Sequence, residues 1–140
     1  MLRASVWGPY YWFVLMSIAV TYPIKPNKIT KKKYYEFIQN LPLFIPNDTI
    51  GSKFEKLLDK YPVTPYLDSR EMFTRWVHFI HNRINVILGK KQITLGAAME
   101  KYYELYKEEK EVEDHFTKWK KIYIFGLSLL FLLVLCYLLY

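Results

Sequence analysis

The pattern of apolar and polar positions divides the chain sharply near its carboxyl end. From Ile122 onward the sequence IYIFGLSLLFLLVLCYLLY runs for nineteen residues without a charge. As an α-helix rising about 1.5 Å per residue it spans about 28 Å, close to the roughly 30 Å hydrocarbon core of a bilayer. No face of the stretch holds enough polar groups to meet water, so residues 122–140 are expected to form a membrane anchor rather than a buried helix. Trp119, Tyr123, Tyr137 and Tyr140 place aromatic rings near both ends, where they suit the headgroup region.

Upstream the apolar spacing predicts a small all-helical domain punctuated by prolines. Pro9 suits the first turn of a helix, and YYWFVLMSIAVTY then runs without a breaker to Pro23. At fourteen residues from Pro9 to Tyr22 this charge-free stretch is short for a membrane crossing and reads as a buried core helix. Thr30 opens a second helix whose apolar positions are Tyr34, Phe37, Ile38 and Leu41, ending at Pro42. Pro46 and Asn47 start a third, with Phe54, Leu57, Leu58 and Tyr61 on one face, closed by Pro62 and Pro65. Asp68 then reads as the cap of a fourth helix, with Glu71 reaching back and Leu67 stapled against Met72. That helix runs to Leu88, where Gly89 can take the left-handed C-terminal conformation. Thr94 caps a last helix through Tyr106, and a charged stretch, residues 108–121, leads to the anchor.

Charge sharpens this picture. The 20 basic and 13 acidic residues all precede Ile122, so the net charge of +7 belongs to the helical domain and linker. Such a surface attracts acidic phospholipids or nucleic acid. The most basic run, Lys25 to Lys33, is expected to be a solvated loop and helix start, and no base-reading motif predicts a specific nucleic-acid partner. Lys118, Lys120 and Lys121 directly before the span favour a cytoplasmic N-terminal domain held by a C-terminal tail anchor. The opening MLRASVW lacks the succession of a secretory signal. A single cysteine, Cys136, lies within the span; it permits no intrachain disulfide and suits packing or palmitoylation.

The fourth helix carries the candidate chemistry. With 100° per residue around Ile80, Phe73, Trp76, Val77, Ile84, Ile87 and Leu88 share one apolar sector. His78, His81, Asn82 and Asn85 cluster on the other side. Exposed helix faces favour Lys, Glu and Gln over these weaker helix formers, so the row points to a ligand. His78 and His81 have a usable metal spacing, yet no third ligand is evident and no metal is expected.

With these residues in place the chain resembles the FAD-dependent sulfhydryl oxidases of the Erv/ALR family, over roughly residues 7 to 107. WGPYYWFVLMSIAVTYP, Trp7 to Pro23, is similar to the family's WGxxxWxxLHxxAxxYP helix. FTRWVHFIHNRINVILGKK, Phe73 to Lys91, is similar to its WxxxLHNxVNxxLGKP signature, of which HN-x-x-N-x-x-L-G-K is the most specific part. The resemblance implies a bundle of four or five helices over residues 1–107 that holds FAD and forms a homodimer. It implies Trp12 and Tyr22 on the flavin side with Met16 packed against the ring, Trp76, His81, Asn82, Asn85 and Lys91 around adenine, ribose and pyrophosphate, and Trp7 and His78 as further cofactor-binding residues. Small anchored members of the family occur in large membrane-containing DNA viruses, which makes a viral membrane a candidate location.

The departures bear on activity. Where the family has proline followed by Cys-x-x-Cys, this chain has Pro46 followed by Asn47-Asp48-Thr49-Ile50, with Asn47 and Ile50 at the cysteine positions. Dithiol oxidation needs both sulfurs, one to pass electrons on and one to close the disulfide. The family's shuttle and stapling cysteines are absent too, and Met16 stands where the opening motif has histidine. The expected protein therefore keeps the shape and the FAD but is impaired in thiol oxidation; the alternative is a membrane-anchored scaffold, paired with an intact paralogue. Asn47-Asp48-Thr49 also spells a glycosylation sequon, although a helix cap is the expected role of Asn47.

Overall fold

A computed structural model describes residues 2–139, and for residues 108–114 the backbone alone. Five α-helices, α1 (Ala4–Val20), α2 (Lys28–Asn40), α3 (Asp48–Lys60), α4 (Arg70–Ile87) and α5 (Leu95–Leu139), are joined by 3-10 turns at Leu41–Phe44 and Thr64–Tyr66. No strand occurs among the described residues. The chain divides into two units, Met1–Ala98 and Met99–Tyr140, the second being the remainder of α5.

In the first unit α1 packs most extensively on α4. Leu15 and Ala19 of α1, Ile38 of α2, Phe54, Leu57 and Leu58 of α3, and Phe73, Trp76, Val77, Ile80 and Ile84 of α4 form one buried cluster. The loops are sealed by Leu41, Ile45, Val63 and Leu67. Tyr22 is fully buried between Tyr34 and Phe73 and donates its hydroxyl to the Leu67 carbonyl at 2.8 Å. Burial first, and then the neighbouring Tyr34 and Asp68, push its phenol above the ordinary value.

Several boundaries depart from the periodic reading. Helix α1 begins at Ala4, so Pro9 sits inside it rather than in its first turn. This helix is only partly buried: Leu15, Met16 and Ala19 face inward while Val6, Tyr10 and Val14 are exposed. A sequence apolar all round gives no clue to which side meets the core. Helix α2 starts two residues before Thr30, because Asn27 accepts the Thr30 amide at 2.8 Å and captures a free N–H of the first turn. Phe37, placed on its inner face by spacing, is half exposed.

Helix α4 is capped by Ser69, whose hydroxyl accepts the Met72 amide at 3.2 Å, and not by Asp68. Asp68 instead pairs with Lys31, and Glu71 with Arg75 at 2.9 Å, so the expected capping box does not form. At the other end Gly89 has φ 69°, the Lys90 amide reaches the Asn85 carbonyl at 2.7 Å, and the Gly89 amide reaches Val86 at 3.1 Å. This is the glycine-terminated closure predicted from sequence. Ile87 and Leu88, expected in the core, are more than one-third exposed because the helix ends there and their side chains lie beyond the last packed turn.

Thr94 caps α5 as expected, its hydroxyl accepting the Ala97 amide at 3.2 Å. The helix does not stop at Tyr106. It continues through residues 108–121 to Leu139, since no proline and no glycine interrupts the sequence between Gly96 and Gly126. Residues His115–Leu139 form one helix long and apolar enough to cross a membrane, with none of it buried. Tyr140, named above as an interfacial ring, lies outside the described residues.

Candidate functional site

The polar row on α4 is not a solvent face. Asn82 and Asn85 are buried, and His78 and His81 are partly so. Two different jobs divide this row.

Asn82 and His78 hold the returning chain. The Asn82 amide donates to the Ile93 carbonyl at 2.8 Å and accepts the Ile93 N–H at 3.1 Å, a two-point pairing that imitates a strand ladder. His78 Nε2 lies 3.0 Å from the same carbonyl and 3.3 Å from the Asn82 amide nitrogen. These contacts fix the Gly89–Thr94 segment that carries Lys90 and Lys91, both exposed. Ile93 escaped the sequence reading because a backbone partner leaves no side-chain signature.

His81 and Asn85 are placed differently. The His81 ring stacks on Trp12 of α1 with centroids 4.1 Å apart and planes 13° from parallel. Trp12 in turn lies 6.4 Å from Phe54 of α3, so three helices meet at this aromatic layer. The Asn85 side chain, 8% exposed, makes no hydrogen bond among the described residues. On α1 the Trp7 indole N–H is buried without a partner among the described residues, which costs on the order of 1–3 kcal/mol. Its ring meets Tyr11 edge-on at 5.2 Å, and the Tyr11 hydroxyl donates to the Phe44 carbonyl at 2.7 Å, anchoring α1 to the 3-10 turn before α3. Buried polar groups are normally satisfied, and this indole N–H asks for an acceptor that the described residues do not supply.

The remaining candidates are core residues by position. Trp76 is 2% exposed, stacks near Phe73 and donates its indole N–H to the Tyr61 carbonyl at 3.0 Å. Tyr22 spends its hydroxyl on Leu67, as described, and Met16 is buried in α1.

Helix α3 opens beside the Leu41–Phe44 turn. Asn47 is its cap, with Oδ1 accepting the Ile50 amide at 3.0 Å, and Ile50 packs against the core cluster. One position is thus a helix cap and the other an apolar contact, and neither side chain can form or break a disulfide. The close approach here depends on Gly51: a Cβ at that site would stand 2.9 Å from the Pro42 carbonyl oxygen. A glycine inside a helical pattern was the available signal for this contact.

The side chains gathered here fit a resident FAD. The unpartnered Trp7 indole could donate to its polar edge, the Trp12–His81 layer offers a flat ring surface, and Lys90 and Lys91 offer charge to phosphate.

Comparison with known proteins places this arrangement. The family model described as Erv1 / Alr family matches residues 9–107. A protein named "Probable FAD-linked sulfhydryl oxidase" from Acanthamoeba polyphaga mimivirus is 36% identical over 95 residues, covering 67% of this chain and 66% of its own length. The FAD-linked sulfhydryl oxidase ERV1 of Arabidopsis thaliana is 28% identical over 110 residues, covering 79% of this chain and 56% of its own length. The chain therefore spans between about half and two thirds of the length of these curated relatives. Among solved structures, the yeast Erv1 core superposes with a TM-score of 0.66 at 24% identity, covering 73% of this chain and 85% of that one, a likeness of fold. The match runs from within α1 through α2, α3 and α4 into the first turns of α5, and on this basis the chain belongs to the Erv1/Alr family.

Proposed function

We propose that this chain is a membrane-anchored, FAD-binding member of its family in which thiol oxidation by the dithiol route is impaired. The observation that carries the flavin half is the buried, unpartnered indole N–H of Trp7, on the helix that also supplies Trp12 of the Trp12–His81 layer. The relatives' names as FAD-linked oxidases support the same cofactor. Bound FAD would supply a two-electron acceptor. Asn82 and His78 would act at one remove, positioning the segment that bears Lys91, while Tyr22, Trp76 and Met16 would support the site from the core side. The catalytic half fails on composition: a dithiol surrenders two electrons and two protons as it closes to a disulfide, and Asn47 and Ile50 have no sulfur to do so.

The apolar helix ending at Leu139 supports anchoring at residues 122–140, and Lys118, Lys120 and Lys121 support a cytoplasmic domain, with a viral membrane as the candidate location. A second copy or a cysteine-bearing paralogue is the proposed partner. The replaced cysteines also favour a second reading, a non-enzymatic scaffold that reuses the bundle.

The visible spectrum of the full chain purified in detergent separates the two. A yellow protein that releases FAD on denaturation is expected; a colourless one overturns the flavin reading and leaves the scaffold. Oxygen uptake with dithiothreitol is expected to stay at background, and robust turnover would refute the impairment. Asn47→Cys combined with Ile50→Cys is expected to raise that turnover in flavin-loaded protein.

A further inference from the structure

The loop before α2 and its first turns carry a surface that neither the core nor the candidate site uses. Ile29 is 73% exposed and Ile24 66% exposed. At 100° per residue Ile29 stands 180° from the buried Ile38, at the apex of the outward face of α2. Lys32 and Lys33 flank it within about 60°, their side chains 75% and 72% exposed, and Lys25 and Lys28 are exposed beside it. Glu36 is the acidic side chain on this face, held loosely by Lys32 at 3.8 Å and Lys33 at 3.4 Å. Lys31 is turned away to Asp68. Four lysines against one glutamate therefore surround two bare isoleucines.

A solvated helix face explains the lysines but not the isoleucines at its summit. Apolar tips within a cationic ring match the boundary between anionic headgroups and acyl chains, where lysines meet phosphate and the alkyl groups enter the hydrocarbon edge. A nucleic acid would use the lysines alone, and Tyr35, the neighbouring exposed ring, is rotated about 120° from Ile29. A second copy of this face would bring like charges together. The chain also carries a helix apolar enough to cross a bilayer, so a lipid surface is the environment its composition anticipates.

We infer that Ile24, Ile29 and the lysines 25, 28, 32 and 33 form a docking surface for bilayers rich in acidic phospholipid. The inference is independent of flavin. Each lysine near such a surface multiplies the contact equilibrium about fivefold, and the isoleucines add an apolar term insensitive to salt.

The test uses the full chain with Cys136→Ser and Ile29→Cys, labelled at residue 29 with an environment-sensitive fluorophore. It is reconstituted into neutral phosphatidylcholine vesicles or into vesicles containing phosphatidylserine, and flotation verifies insertion in both. The expected result is a blue shift and quenching by brominated lipid with phosphatidylserine only. Both should weaken at 1 M salt, where the screening length falls to about 3 Å. The triple change Lys28→Gln, Lys32→Gln, Lys33→Gln is expected to lower the contact equilibrium on the order of a hundredfold. A label at Ser52 on α3 should not respond. Identical spectra in the two vesicle types would overturn the inference. So would a response of the detergent-solubilised chain to duplex DNA without any response to phosphatidylserine, which would assign the face to nucleic acid instead.

Discussion

Truncating Asn82 to alanine isolates the contact that organises the polar row of α4. The side chain is 9% exposed and exchanges two hydrogen bonds with the Ile93 backbone, at 2.8 and 3.1 Å. Each contributes about 1 kcal/mol net, and the loss of packed atoms adds to this. Ile93 is 38% exposed, so water can reach part of the freed backbone and lower the cost. The expected loss is about 2 kcal/mol, localised to the Gly89–Thr94 segment. Hydrogen exchange at the Ile93 amide should therefore accelerate more than tenfold, since about 1.4 kcal/mol corresponds to a factor of ten. His78→Ala should cost less than 1 kcal/mol, because its single contact to the Ile93 carbonyl at 3.0 Å lies in an exposed setting. Unchanged protection at Ile93 in the Asn82 variant, or an equal loss of protection there from Asn85→Ala, would refute the division of the row into clamp and ligand groups.

Gly51→Ala should destabilise the bundle by about 1–3 kcal/mol in urea denaturation, because the new Cβ meets the Pro42 backbone carbonyl at 2.9 Å and neither helix nor turn can yield cheaply. Asn47→Ala should lower stability by about 1 kcal/mol, with Asn47→Ser restoring most of it, since the contribution comes from an oxygen accepting the Ile50 amide; an equal loss in both would show that the cap is not the cause. Tyr22→Phe should cost about 1 kcal/mol below pH 9 through the lost bond to Leu67. The folded phenol titrates above its unfolded value of 10.0, so its contribution is present below that pH and is lost as pH rises through and beyond it. Denaturation midpoints should accordingly fall less steeply above pH 10 in the phenylalanine variant than in the parent.

The helices themselves were legible in the residues because their signals are local. Prolines 42, 46, 62 and 65 bracket the elements, Asn47 caps α3, and Gly89 closes α4 in the left-handed conformation that side chains avoid. Where two capping residues lay side by side, local signals were not enough. Asp68 and Ser69 both suit an N-cap, and the choice fell to Ser69 because Lys31 on another helix engages Asp68. The last helix was expected to end at Tyr106 where the sequence turns highly charged, yet polarity does not break a helix and no breaker is present there.

Sequence alone determined the composition of the site and its deficit: which helix carries His78, His81, Asn82 and Asn85, and that residues 47 and 50 hold no sulfur. Only the tertiary structure decided which of those polar groups remain available. Helical periodicity places four side chains on one side of α4, but whether an amide is satisfied depends on what a distant segment brings against it. Ile93 pairs with Asn82, Trp12 covers one face of His81, and among the described residues no hydrogen bond reaches the Asn85 side chain. Hydrogen-bond satisfaction is a property of pairs, and the pair is made by the fold.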